Sequence, residues 1–389
     1  MNYLVRTMLW VFVFLVPWEN FIIIPGLGTG AKLWGLTTGA IGLFSVLFKG
    51  KLRYHLFLLA GLLFIVWGWT SLLWSIEPEQ SLRRMFTYTG LWLMACLIYH
   101  YGTVEFLPSL FQAYVLGAWV AALATIQAYM HGAEVVYQRF AATGFDPNDL
   151  SFYLNLAIPF AAFLSFKSTA RALKLVNFLY ILIASIAVLL TASRSGALGL
   201  AIALLFVLYS FHVAKGKWRL AGSLLLAAIA GIILTWVPQT SLARIATIVS
   251  EIHGGTLNKR LNIWAAGSQV LAAHPILGVG AGTFRQAVEP ILGKAWAPHN
   301  VFLSVAVEGG IPSLILWLAF MTLPFVGVLR LPGYERRLWL TIIIVLIISF
   351  LSLNFEWRKV SWLMLAFAAA YSAKVRNTCL YSPLLGESP

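Results

Sequence analysis

Twelve long apolar runs govern what this chain can fold into; they lie near residues 8–25, 31–48, 55–74, 86–100, 107–130, 149–166, 173–191, 196–213, 219–237, 300–329, 338–353 and 360–373. A helix needs about 20 mostly apolar residues to cross a bilayer, whereas a membrane barrel strand alternates apolar and polar side chains over about ten. The runs do not alternate, so they read as helices. With 60% hydrophobic and 10% charged residues among 389, the chain has too few polar side chains to cover a water-soluble surface. The expected fold is therefore all-α and polytopic, about twelve transmembrane helices in one integral membrane domain. The first run keeps Trp18, Glu19 and Asn20 at its far end and has no small-residue cleavage site, so it reads as a retained helix and not a signal peptide.

Lys and Arg collect in cytoplasmic loops, and their distribution sets orientation. If the first helix starts inside, then Arg6, Lys49, Lys51, Arg53, Lys167, Arg171, Lys174, Lys215, Lys217, Arg219, Arg330, Arg336, Arg337, Lys374 and Arg376 all face the cytoplasm. An even number of crossings returns both termini to that side. This topology signal explains about half of the formal net charge of +14, and no nucleic-acid motif accompanies the remainder. Cys96 and Cys379 both fall on the inner side, one in a helix and one in the tail, and suggest neither a disulfide nor a metal site.

The chain divides into residues 1–237 with the first nine helices, an outer loop over 238–298, and residues 299–389 with the last three helices and a cytoplasmic tail. The loop far exceeds the usual connection of about 4–6 residues, and long ordered loops tend to carry function. Leu242, Ile245, Val249 and Ile252 recur at helical spacing, as do Leu261, Trp264, Ser268 and Leu271. Two short amphipathic helices are expected along the outer membrane boundary. The stretch "HPILGVGAGTF" at 274–284 then breaks helix with Pro275 and its glycines. Gly278, Gly280 and Gly282 do not make a dinucleotide-binding loop, because the third glycine comes too early and no strand precedes them.

His299, in "APHNVFLSVAVEGG", sits between this loop and the tenth run, where Pro298 and Asn300 suit a helix start. Taken alone, a hydrated boundary histidine is the plainer reading. Arg194, in "TASRSGALG", lies in a tight outer turn between Ser193, Ser195 and Gly196, where hydroxyls and exposed N–H groups beside a guanidinium suit a phosphate; a snorkelling arginine is the plainer alternative. Arg260 opens the second loop helix one turn before Trp264, and Arg139 lies in the outer connection before the sixth run; both also fit solvated faces. Asp146 and Asn148 are placed to cap the sixth helix, and Asp149 favours its N-terminal dipole. Glu308 is an ionisable group inside a membrane segment, which is costly. Nine residues after His299, it is expected about two and a half turns deeper and near the same helix face.

A histidine, several arginines, a few carboxylates and an apolar groove at one membrane face fit group transfer from a lipid diphosphate. Arginines hold phosphates through paired donors and never lose their charge, and histidine can take a proton from an attacking hydroxyl. No Asp-x-Asp or paired histidines stand at metal-ligand spacing on the outer side, so neither a metal nor another cofactor is expected.

These residues resemble the bacterial O-antigen ligase and polymerase superfamily. The resemblance rests on "ASRSG", "KRLNIW", "HPILGVGAGTF" and "PHNVFLSVAVEGGIPSLI", in this order over residues 139 to 315. It implies a GT-C-like glycosyltransferase of the bacterial inner membrane that acts at the periplasmic face, within and around the 238–298 loop. The donor would be an undecaprenyl diphosphate-linked glycan and, in the ligase branch, the acceptor a sugar hydroxyl of lipid A-core, with membrane lipids as the other partners and no nucleic acid. His299 matches the family's essential histidine, and Arg194 and Arg260 match arginines that engage the diphosphate. Arg139 is grouped with them, and Glu308, Asn300, Asp146, Asp149, Ser193 and Ser195 are expected to support the site. A single in-line displacement would invert the anomeric centre.

Asn300 stands where ligases commonly have serine. The same outline serves repeat-unit polymerases and protein O-oligosaccharyltransferases; the ligase is preferred on the expectation that no large periplasmic domain follows the twelfth helix. A lipid or solute transporter is the alternative of another class, but its halves would repeat and its polar groups would gather at mid-depth.

Overall fold

The computed structural model describes residues 2–49, 53–136, 138–214, 216–247 and 259–378. Among them the chain forms fifteen α-helices: α1 (Asn2–Leu15), α2 (Gly30–Lys49), α3 (Leu56–Thr70), α4 (Pro78–Tyr101), α5 (Leu107–Met130), α6 (Pro147–Lys167), α7 (Arg171–Leu190), α8 (Arg194–Val213), α9 (Lys217–Trp236), the short α10 (Gln239–Ala246), α11 (Arg260–Ala273) and α12 (Phe284–Leu292), then α13 (Val301–Val328), α14 (Gly333–Phe350) and α15 (Lys359–Thr378). Two-residue strands, Ile23–Ile24 and Gly28–Thr29, pair as the sheet. The protein is an all-α, multi-pass membrane protein.

Each of the twelve apolar runs lies largely within a helical segment, and eight of these segments are long and apolar enough to cross a membrane. The four outside that group, α4, α9, α14 and α15, carry polar or charged residues at their ends. The first run starts earlier than its hydropathy suggests. Helix α1 begins at Asn2 and yields to a 3-10 turn at Val16–Phe21, because Pro17 cannot donate the next helical hydrogen bond.

Helix α6 runs through the centre, buried along nearly its whole length and packed against α5, α7, α8 and α14. Its start is dictated locally: Asp146 accepts from the Asn148 and Asp149 N–H groups, and Pro147 occupies the first turn, where its missing N–H costs nothing. Ser193 caps α8 by accepting from Gly196, and Asn300 caps α13 by accepting from Leu303. These caps all lie at the end of the bundle that carries the long loop.

Within that loop, α10 and α11 form at the two expected places, although Val249 and Ile252 lie outside the described residues, as do Lys51, Lys215 and Cys379. A third helix, α12, was not expected from the sequence. Cys96 is buried in α4 as a free thiol.

Helix α13 is broken near its start, and the break locks the loop to the bundle. Gly310 leaves the helical conformation at φ 72°, and Pro312 has no N–H. The Val307 and Glu308 carbonyls thereby lose their usual helical donors and accept instead from Val279 (3.1 Å) and Gly280 (2.8 Å). Ile311 donates to Pro275 at 2.8 Å, and the Trp67 indole takes the Gly309 carbonyl at 2.8 Å. A Cβ at Gly278, itself at φ 66°, would stand 2.5 Å from the Glu308 oxygen. The glycine-rich stretch is thus a backbone interlock.

Candidate active site

Arg139, Arg194, Arg244, Arg260 and His299 converge at the loop end of the bundle. Arg139 is buried: its Nε donates to the Thr191 carbonyl at 2.8 Å and its Nη2 to Asn148 Oδ1 at 2.7 Å. The solvated reading of this arginine is therefore set aside. Burial, with Arg244 and Arg194 close by, lowers its guanidinium to about 10.

Arg194 begins α8 and reaches the loop, its Nε donating to Thr247 Oγ1 at 2.9 Å and to the Arg244 carbonyl at 3.3 Å. Ser193 spends its hydroxyl oxygen on the helix cap, and Ser195 follows in the first turn of α8. Arg260 opens α11, and burial lowers its ionisation as Arg194 repels it. Asp146, exposed at the tip of α6, is the carboxylate that Arg139, Arg260 and His299 all sense.

His299 is not part of α13. Its backbone is left-handed at φ 48°, its N–H donates to Asn354 Oδ1 at 2.8 Å, and the Trp264 indole holds the preceding Pro298 carbonyl at 2.9 Å. Burial, followed by the charge of Arg260, pushes the imidazole down to about 4, so it is neutral at pH 7.

Glu308 stands apart from His299, which corrects the shared-face expectation. Nine residues at about 100° each end half a turn away, and His299 precedes the helix altogether. The Glu308 carboxylate turns to the glycine stretch instead, accepting from the Gly282 N–H at 2.7 Å and the Ser304 hydroxyl at 3.4 Å. Asp149 likewise turns inward, forming an ion pair with Arg358.

The stretch "NFEWRK", residues 354–359, joins α14 to the first residue of α15 and was not among the site residues expected from the sequence. Besides Asn354 it supplies ion-pair members to three elements: the buried Glu356 to Arg84 of α4 (3.3 Å), and the half-buried Arg358 to Asp149 of α6 and Lys359 to Glu19 after α1. Burial raises Glu356 to about 7, and its Oε2 is buried without a hydrogen bond. The available signal was a run of charges between two apolar runs, on the face where positive-inside reasoning expects few. Among the described residues, no three His, Cys, Asp or Glu side chains gather as a metal-binding group.

Residues 179–318 match the model of the family described as O-antigen ligase. Over this stretch, about a third of its length, the chain is similar to the O-antigen ligase family. The matched stretch contains Ser193, Arg194, Ser195, Arg244, Arg260, His299, Asn300 and Glu308, while Arg139, Asp146, Asp149 and the 354–359 connection lie outside it. Family members are membrane glycosyltransferase-like enzymes. No curated protein matches the chain significantly.

Proposed function

We propose that the protein transfers a glycan from undecaprenyl diphosphate to a sugar hydroxyl of lipid A-core, at the periplasmic face of the bacterial inner membrane and without a metal ion. The observation that carries this reading is the meeting of a neutral histidine with arginines from separate segments, His299 and Arg260 from the end and second half of the loop, Arg194 from the start of α8 and Arg139 from the connection before α6. Fixed cations beside a proton acceptor suit departure of an anionic leaving group from a carbon that a hydroxyl attacks.

In this mechanism the acceptor oxygen attacks the anomeric carbon while its proton passes to the His299 imidazole. The bond between that carbon and the diphosphate oxygen breaks, and its electron pair leaves with the diphosphate, whose charge Arg194, Arg260 and Arg139 offset. One displacement inverts the centre. The diphosphate also reverses part of what depresses the imidazole: by neutralising Arg260, the donor makes His299 a stronger base when a proton must be taken.

The test is transfer by the purified protein from a lipid diphosphate-linked glycan to a lipid A-core acceptor. Ligated product supports the reading. Longer lipid-linked chains would make the protein a polymerase, glycosylated protein would make it a protein O-oligosaccharyltransferase, and no covalent product with any acceptor would point to transport.

A further inference from the structure

Helix α10 presents two buried polar atoms that have no hydrogen-bond partner among the described residues, Ser241 Oγ and Arg244 Nε. The residues are three apart, so they share one face of the helix, and that helix packs against α7 and α8 beside the turn that carries Arg194. A buried hydroxyl and a buried guanidinium N–H left unsatisfied each cost about 1–3 kcal/mol, so such a pair on one face suits a ligand with acceptor oxygens. The neighbouring cations are already anchored: Arg139 by Thr191 and Asn148, Arg194 by Thr247 and the Arg244 backbone.

Charge points the same way. Arg139 feels repulsion from both Arg244 and Arg194, and Arg260 feels it from Arg194, whereas Asp146 is the carboxylate that Arg139 and Arg260 sense. Four guanidinium groups against one carboxylate leave an excess of three positive charges, which more than offsets the two negative charges of a diphosphate diester.

We infer that Ser241 and Arg244 on the loop helix form a further phosphate subsite, in which Arg244 Nε and the Ser241 hydroxyl donate to one phosphate of the diphosphate that Arg139, Arg194 and Arg260 also hold. The inference rests on the proposed function and adds to it two donors that belong to none of the motifs behind the family resemblance. It also gives the loop a role in binding, because α10 closes over the diphosphate and supplies part of its contacts.

The experiment uses the full-length protein in nanodiscs, titrated calorimetrically with farnesyl diphosphate and, separately, with farnesyl monophosphate. Wild type binds the diphosphate more tightly. Arg244→Ala and Arg244→Gln weaken diphosphate binding about tenfold or more, Ser241→Ala about fivefold, and all three narrow the preference over monophosphate. Arg194→Ala serves as the reference. Because Arg194 bonds the Arg244 backbone and not its side chain, these substitutions leave that anchor in place. If all three variants bind diphosphate within twofold of wild type while Arg194→Ala does not, the subsite is wrong and the proposed function stands. If wild type itself shows no preference for diphosphate, the proposed function fails and the subsite with it.

Discussion

The backbone N–H of His299 donates to Asn354 Oδ1 at 2.8 Å, and this bond ties the loop's last residues to the connection between the final two helices. His299 holds a left-handed backbone, φ 48°, which a non-glycine residue adopts at a cost of about 1–3 kcal/mol. Asn354 supports that conformation. Replacing it with leucine, similar in size but unable to accept, is expected to lower kcat about tenfold with little change in the KM for the donor. Asn354→Asp, which keeps the acceptor, stays within a few fold. Equal loss in both variants would show that the bond does not position His299.

The His299 imidazole lies near 4 instead of the ordinary 6.5, because burial and Arg260 oppose its charge. Between these values the unfolded chain holds a proton that the folded one does not. Stability therefore rises as pH increases from about 4 to 6.5 and is lost as pH falls through that window. For activity, the acid limb of kcat/KM, which reports the free enzyme, is expected near pH 4, and that of kcat nearer neutrality once the diphosphate is bound. A kcat/KM limb at 6.5 would contradict a desolvated imidazole.

Glu308 is expected to act on stability and not on the chemical step. Glu308→Ala removes the acceptor for the Gly282 N–H and the Ser304 hydroxyl, a loss of about 2–4 kcal/mol, read as a lower unfolding midpoint. Gly278→Ala is expected to be as damaging, since φ 66° and the Glu308 carbonyl both exclude a Cβ. Normal unfolding with abolished turnover in Glu308→Ala would place that carboxylate in the chemistry instead.

Much of this arrangement was legible in the sequence where short-range rules apply. The apolar runs and the caps at Asp146 and Asn300 depend on neighbours within a turn or two, and hydropathy and cap chemistry locate them. Arg84 and Glu356 meet across 272 positions, and Asn354 finds His299 across 55, so no local pattern announces either pair. Glu308 was legible as a costly buried charge but not in its partner. Its direction is set by the broken helix at Gly310 and by a glycine stretch that meets it from elsewhere in the chain.

Burial raises the Glu356 carboxyl to about 7, so the fold favours its protonated form. The folded chain then holds a proton that the unfolded chain, near 4.5, has lost. The stability this contributes is present at low pH and is lost as pH climbs from about 4.5 through 7. Glu356→Gln, neutral at every pH, is expected to flatten that decline, so that at pH 8 its unfolding midpoint equals or exceeds that of wild type. A midpoint several degrees lower at pH 8 would mean that the charge-paired form with Arg84 carries the stability.

Arginines in place of a metal lead to a further expectation: transfer activity measured after extensive EDTA treatment stays within about twofold of the untreated rate, whereas Arg194→Ala or Arg260→Ala reduces kcat/KM by about 100-fold. Arg194→Lys recovers part of the loss, since charge survives but the paired donors do not. Activity restored to the EDTA-treated protein only by added divalent cation would overturn this assignment.

The central claim is transfer of a glycan from a lipid diphosphate by a site organised around His299. The most direct measurement is single-turnover ligation with purified protein, lipid diphosphate-linked glycan and lipid A-core, comparing wild type with His299→Ala at matched folding. The account predicts ligated product from wild type, and at least a 100-fold slower rate from the variant at unchanged donor affinity. Equal rates from the two proteins, or no ligated product from wild type, would contradict it.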